Sequence, residues 1–150
     1  LLLTGNLDYW WTTMAKMERF FAEQGWNDFA FLHNNCVMHD GVALCGTRSW
    51  MFDASAPQDE KVMARECGRL RMSLQAAGEA EKIVFLHYPP IYPNANAEEV
   101  VALLHEYGVK RCFYGHLHGG SIRYAVQGRV EGIEYRLVSA DSLRFCPAKI

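Results

Sequence analysis

The apolar positions of the chain fall into two periods. Leu1 to Thr4, Phe29 to Leu32, Val42 to Cys45, Lys82 to Leu86 and Val109 to Tyr114 are short apolar runs of strand length, most of them ending at Gly, Asn or Asp. Between them the apolar residues recur every three or four positions, the spacing of a helix with one buried stripe. Trp10, Met14, Met17 and Phe21 form the first such stripe, with Asp8 as its expected N-cap and Gly25 as its stop. Met63, Cys67, Leu70, Leu74 and Ala77 form the second, opened by the capping-box spacing of Ser55-Ala56-Pro57-Gln58 and ended near Gly78. Val100, Val101, Leu103 and Leu104 form the third, with Asn96 and Glu99 at capping-box spacing and Gly108 at the end.

The turn-like His39-Asp40-Gly41 makes Phe29–Leu32 and Val42–Cys45 read as a hairpin. Ile122 to Val126 and Ile133 to Val138 alternate around Gly128 and Gly132, as a second strand pair. Strands alternating with helices, with antiparallel strands added at the end, predict one α/β domain over residues 1–150.

Composition narrows the classes. Half of the 150 residues are hydrophobic, enough for a single domain with its own core. A net charge of −2 leaves no electrostatic footprint for nucleic acid or an anionic membrane, and no apolar run is long enough to cross a bilayer. Five cysteines, odd in number and without a CxxC, read as small buried hydrophobes in a reducing cytoplasm. Lys61, Arg65, Arg69 and Arg71 read as the solvated face of the second helix. The first residue already lies in an apolar strand pattern without a methionine, so strands are expected to precede it. A sheet lacking them would favour self-association through its open edge.

The chemistry gathers at strand ends. Asn6 follows the first apolar run, His87 follows Ile83 to Leu86, and His116 and His118 follow Val109 to Tyr114. In open α/β sheets ligands bind beyond the carboxyl ends of the strands, so polar residues at successive ends have a mechanical reason to meet. An amide and three imidazoles gathered there suit a divalent metal. His33, His39 and His105 read as surface or structural residues, and Arg48, in the loop after a strand, as a member of a surface or structural ion pair or as a phosphate contact.

Gly5-Asn6-Leu7-Asp8, the lone His87 followed by Tyr88-Pro89-Pro90, and Gly115-His116-Leu117-His118 together resemble the last three motif blocks of the calcineurin-like metallophosphoesterases. The context residues Gly46 to Trp50 and Ser139-Ala140-Asp141 resemble a bacterial predicted-phosphohydrolase branch of that family. The resemblance implies the C-terminal portion of an α/β/β/α sandwich and, in the intact protein, a hydrolase that cleaves phosphate esters with two divalent ions (Mn, Fe or Zn). It implies that Asn6, His87 and His116 ligate one ion and that His118 ligates the other, whose remaining ligands lie in blocks preceding Leu1. It also marks a departure. Leu7 stands where the family has a histidine credited with protonating the leaving group, and Asp8 would be that histidine's orienter. The alternative expectations are a non-catalytic binding or regulatory domain that keeps the fold, and a domain held together by a single structural zinc.

Overall fold

A computed structural model describes residues 1–8, 12–51 and 58–150, the side chains of Gln58 and Asp59 excepted. Its centre is a six-stranded mixed sheet ordered β3-β4-β5-β6-β8-β7. The strands β4 (Val42–Thr47), β5 (Glu81–Leu86), β6 (Arg111–Tyr114) and β8 (Ile133–Leu137) run parallel. The edge strands β3 (Cys36–His39) and β7 (Gly128–Val130) are antiparallel to their neighbours. Both hairpins close through two residues at positive φ, Asp40-Gly41 and Glu131-Gly132, the backbone that a twisted two-residue hairpin turn needs.

Register sorts the side chains by face. Ala43, Cys45, Val84, Leu86, Cys112, Tyr114, Tyr135 and Leu137 share one side and join the core beneath α2 (Gln58–Ala76) and α3 (Glu98–Glu106). Leu70 and Leu74 of α2 are completely buried there, each contributing roughly 1.5–3 kcal/mol by burial. On the other side, Leu44, Phe85 and Phe113 face a second, two-stranded parallel sheet of β1 (Leu2–Leu3) and β2 (Phe31–Leu32). Between the two sheets lies an apolar cavity of about 380 Å³ that ends at His87 and Gly115. Beyond β2, α1 (Met14–Glu23) packs through Phe21, whose ring centroid lies 5.0 Å from that of Phe31. Among the described residues, no helix is long and apolar enough to cross a membrane.

Four local expectations are corrected. The first helix starts at Met14 with Thr13 as N-cap, its side chain accepting from the Lys16 N–H, while the Asp8 carboxylate accepts from the Gly5 N–H. Trp10 and the Ser55-Ala56-Pro57 cap lie outside the described residues. The hairpin partner of β4 is Cys36–His39, not Phe29–Leu32. A turn at Asn34, with φ of 64°, diverts the chain, so Phe31–Leu32 leaves to pair with β1. No Asn96–Glu99 capping box forms: Ala97 occupies the cap without a side-chain bond, and Glu98 and Glu99 meet the helix dipole instead. Ile122 to Val126 is not a strand, because Gly119–Tyr124 forms a 3₁₀ helix. Ser121 Oγ accepts from the His118 N–H and donates to the His118 carbonyl, closing the tight turn that excludes extended backbone.

The arginine face of α2 also differs from a simple solvated surface. Glu66, expected by no pattern, is buried beneath it and accepts from Arg69 at 2.6 Å and from Thr47 Oγ1 at 3.1 Å. Arg71 bonds Glu106 across the α2–α3 junction.

The close approach of β4 to β5 depends on Gly46. A Cβ built there would lie 2.0 Å from the Phe85 carbonyl oxygen and 2.9 Å from Leu32 Cδ2. Gly46→Ala is therefore expected to destabilise the chain by about 3 kcal/mol or more. The check is a urea titration followed by circular dichroism, and an unchanged midpoint would contradict the packing described.

Candidate metal site

His87 follows the last residue of β5. It is directed by the buried Tyr88-Pro89-Pro90 segment, and the Tyr88 N–H donates to the Arg48 carbonyl at 3.1 Å. His116 leaves the neighbouring strand β6. The Gly115 N–H donates to the carbonyls of Leu86 and His87, each at 3.2 Å, so pairing of the two strands persists into the loop. The chain then reverses at His116, whose φ is 69°, and the Leu117 N–H donates to the Gly115 carbonyl at 2.8 Å. That is a γ-turn in the left-handed region, costing on the order of 1–3 kcal/mol for a residue with a Cβ. Buried Leu117, its carbonyl held by Ser139 Oγ at 2.7 Å, keeps the turn in place.

Asn6 arrives from the other sheet. The turn after β1 is closed by the Gly5 N–H donating to Asp8 Oδ2 at 2.5 Å. Gly5 passes so close to the His87 ring that an added Cβ would lie 3.1 Å from Cε1. Three donor atoms meet as a result. Asn6 Oδ1 lies 2.7 Å from His87 Nε2, and His116 Nδ1 lies 3.2 Å from the same nitrogen. The Tyr88 ring backs them, its centroid 4.4 Å from that of His116.

Burial keeps this pair neutral. It pushes the His87 imidazole down to about 4, with His116, Arg48 and His118 adding to the effect and Asp8 opposing it. Burial, then His118, also lowers the pKa of His116. Neutral imidazoles carry the lone pairs that a metal takes. His87 Nε2, meanwhile, faces two other acceptor-bearing groups that one N–H cannot fully serve. Ligands about 2.0–2.1 Å from one ion sit about 3 Å from each other, close to the separations of Asn6 Oδ1 and of His116 Nδ1 from His87 Nε2. The set fits one divalent ion. It contains no carboxylate, and among the described residues no group of three or more His, Cys, Asp or Glu side chains is arranged to hold a metal.

His118 stands beside this set with a different partner. Its Nδ1 lies 2.8 Å from Asp141 Oδ1, while Asp141 Oδ2 accepts from the Gly119 N–H at 2.7 Å. The Gly119 N–H first, then His118, hold the Asp141 carboxyl down at about 2. Bonded to a carboxylate at Nδ1, the ring keeps Nε2 available as a ligand. Asp141 was not singled out among the candidate ligands, although it follows the end of β8 and so stands at a fourth parallel strand end. Arg48 lies in a polar cavity next to Gly5, its guanidinium 5.4 Å from the Trp50 ring centroid. Leu7 is 69 % exposed, and Asp8 is occupied by the Gly5 turn. His33, His39 and His105 are exposed and lie outside the set.

Comparison of the chain with protein-family models, with curated proteins and with solved structures finds no match.

The depressed His87 pKa makes stability depend on pH. Unfolded, the ring takes up a proton near 6.5; folded, it does so near 4. Stability is therefore full above the higher value and falls as pH is lowered between the two, because the unfolded chain binds the extra proton. Urea midpoints at pH 7 and 4.5 are expected to differ less in His87→Gln than in the wild-type chain. The strained turn gives a second expectation. His116→Gly is expected to lose metal affinity while its urea midpoint holds or rises, whereas His116→Ala, which keeps the strain, is expected to lose metal affinity without that gain in midpoint.

Proposed function

We propose that this chain is the metal-binding part of a metal-dependent phosphoesterase. In this reading Asn6, His87 and His116 hold one divalent ion (Mn, Fe or Zn), His118 supplies a ligand to a second, and Arg48 contacts the phosphate. The observation that carries the reading is the meeting of Asn6 Oδ1, His87 Nε2 and His116 Nδ1 at the ends of strands from two facing sheets. A bound ion would supply a Lewis acid for a phosphoryl oxygen and a water acidified towards neutral pH. The chain's own part is to keep two imidazoles neutral by burial, to fix the His118 tautomer through Asp141, and to offer the Arg48 guanidinium to phosphate oxygens.

The layering supports the finer fold reading as well. The α2–α3 layer, the six-stranded sheet, the β1–β2 pair and α1 follow one another in the order of an α/β/β/α sandwich of the metallophosphoesterase type. One observation favours the second reading, a non-catalytic binding domain. At the position where the resembling family has its proton donor, this chain presents the exposed, inert side chain of Leu7.

Calorimetric titration of the purified chain with Mn²⁺ is expected to find one weakly bound ion per chain, with affinity at least tenfold lower in His87→Ala. Hydrolysis of a chromogenic phosphodiester is expected to be negligible in the wild-type chain. In a chain extended by blocks that supply the second ion's remaining ligands, Leu7→His is expected to raise it, towards the ~10²–10⁴-fold range that a general acid contributes. Absence of Mn²⁺ binding, or binding indifferent to His87→Ala, would remove the reading. That extended Leu7→His chain, if it binds Mn²⁺ but remains inert, would favour the non-catalytic alternative. A melting temperature that drops sharply on adding chelator would instead favour a structural metal.

A further inference from the structure

The polar cavity beside the metal-site residues has a volume of about 530 Å³. Gly5 is in its wall and passes close to the His87 ring, so the cavity adjoins the site. Three arginines line the cavity, Arg48 after β4 and Arg65 and Arg69 on α2. Arg65 and Arg69 are one helical turn apart and therefore lie on the same face.

The carboxylates nearby do not use these cations up. Glu66 is 1 % exposed and gives one oxygen to Thr47 Oγ1. Its other oxygen lies 2.6 Å from Arg69 Nη1 and 3.8 Å from Arg65 Nε, so a single carboxylate serves Arg69 and leaves Arg65 without a hydrogen bond to it. Asp8, the acid in the wall, is engaged by the Gly5 N–H. His33 adds no competing acceptor charge, and its pKa is lowered by burial first and then by Arg69. Three permanent cations therefore line the cavity with one carboxylate, Asp8, while buried Glu66 beneath it offsets Arg69 and leaves the charges of Arg48 and Arg65 in excess. A forked guanidinium in this position suits phosphate oxygens.

We infer that the cavity is a second anion subsite, where Arg65 and Arg69 bind a phosphate other than the one at Asn6, His87 and His116. The substrate class is then a phosphate ester carrying a second phosphate, such as a nucleoside bisphosphate or diphosphate. Arg48 stands between the two positions and can serve either. Naming this class of substrate rests on the phosphoesterase reading; binding of a diphosphate by the cavity does not.

The test uses inorganic pyrophosphate and orthophosphate as probes, titrated calorimetrically into metal-free chain at low salt. Pyrophosphate is expected to bind about tenfold more tightly than orthophosphate, and Arg65→Ala to weaken pyrophosphate binding about tenfold. Arg71→Ala removes the same charge from α2 at its junction with α3 and is expected to leave pyrophosphate affinity unchanged. Thermal melting of both variants reports on folding, and exposed Arg65 is removed in preference to Arg69, whose loss would strand buried Glu66. Undetectable pyrophosphate binding, or equal losses in Arg65→Ala and Arg71→Ala, would overturn the subsite. Pyrophosphate binding that depends on Arg65 in a chain that binds no Mn²⁺ would keep the subsite and remove the phosphoesterase reading. Mn²⁺ binding that depends on His87, with pyrophosphate indifferent to Arg65, would do the reverse.

Discussion

The parallel ladder between β5 and β6 is the constraint on which the rest depends. Ile83 to Leu86 pair in register with Arg111 to Tyr114, and the Gly115 N–H carries the pairing into the loop through the carbonyls of Leu86 and His87. Two strands so matched must release their next residues side by side. His87 and His116 thus come within hydrogen-bond range although 29 positions separate them in the chain. A slip of one residue would turn His116 to the opposite face. The register is held by the core beneath it, where Val84, Leu86, Cys112 and Tyr114 are all nearly or wholly inaccessible to solvent.

The second sheet turns a pair of imidazoles into a three-donor set. Leu32 of β2 lies against Gly46 of β4, the contact at which an added Cβ would clash, and the parallel partner β1 then delivers Asn6 to His87. The same enclosure sets the electrostatics. The half-buried imidazoles of His87 and His116 are kept neutral, whereas the more exposed His118 leans on Asp141, so the three histidines are used in two different ways. On the far side of Gly5 the requirement is reversed, because α2 brings guanidinium groups over a buried carboxylate. Glu66 holds Arg69 in place, and Arg65 stays available beside it.

Much of the fold was legible as periodicity. The helical stripe of α2, the continuous apolar run of β5, and the glycine stops at Gly78 and Gly108 are local patterns, and each appears where expected. The alternation of β8 was equally plain, since its residues face the core and the exterior in turn. Two misreadings have different origins. Phe31–Leu32 pairs with β1, a partner distant in sequence, whereas Ile122 to Val126 is kept from extending by the local turn between His118 and Ser121. Asn34 at positive φ and the Ser121 hydroxyl decided those cases, and neither alters the hydrophobic pattern.

By itself the sequence determined the α/β class and put Asn6, His87, His116 and His118 at or near strand ends, because burial on a period of two or of 3.6 is written residue by residue. Only the tertiary structure decided which of the four converge, that His118 turns to Asp141, and that Arg65 and Arg69 share a cavity with Arg48. Those outcomes depend on register, on how closely two sheets approach, and on which charges burial leaves without a partner. All three are set by contacts between segments far apart in the chain.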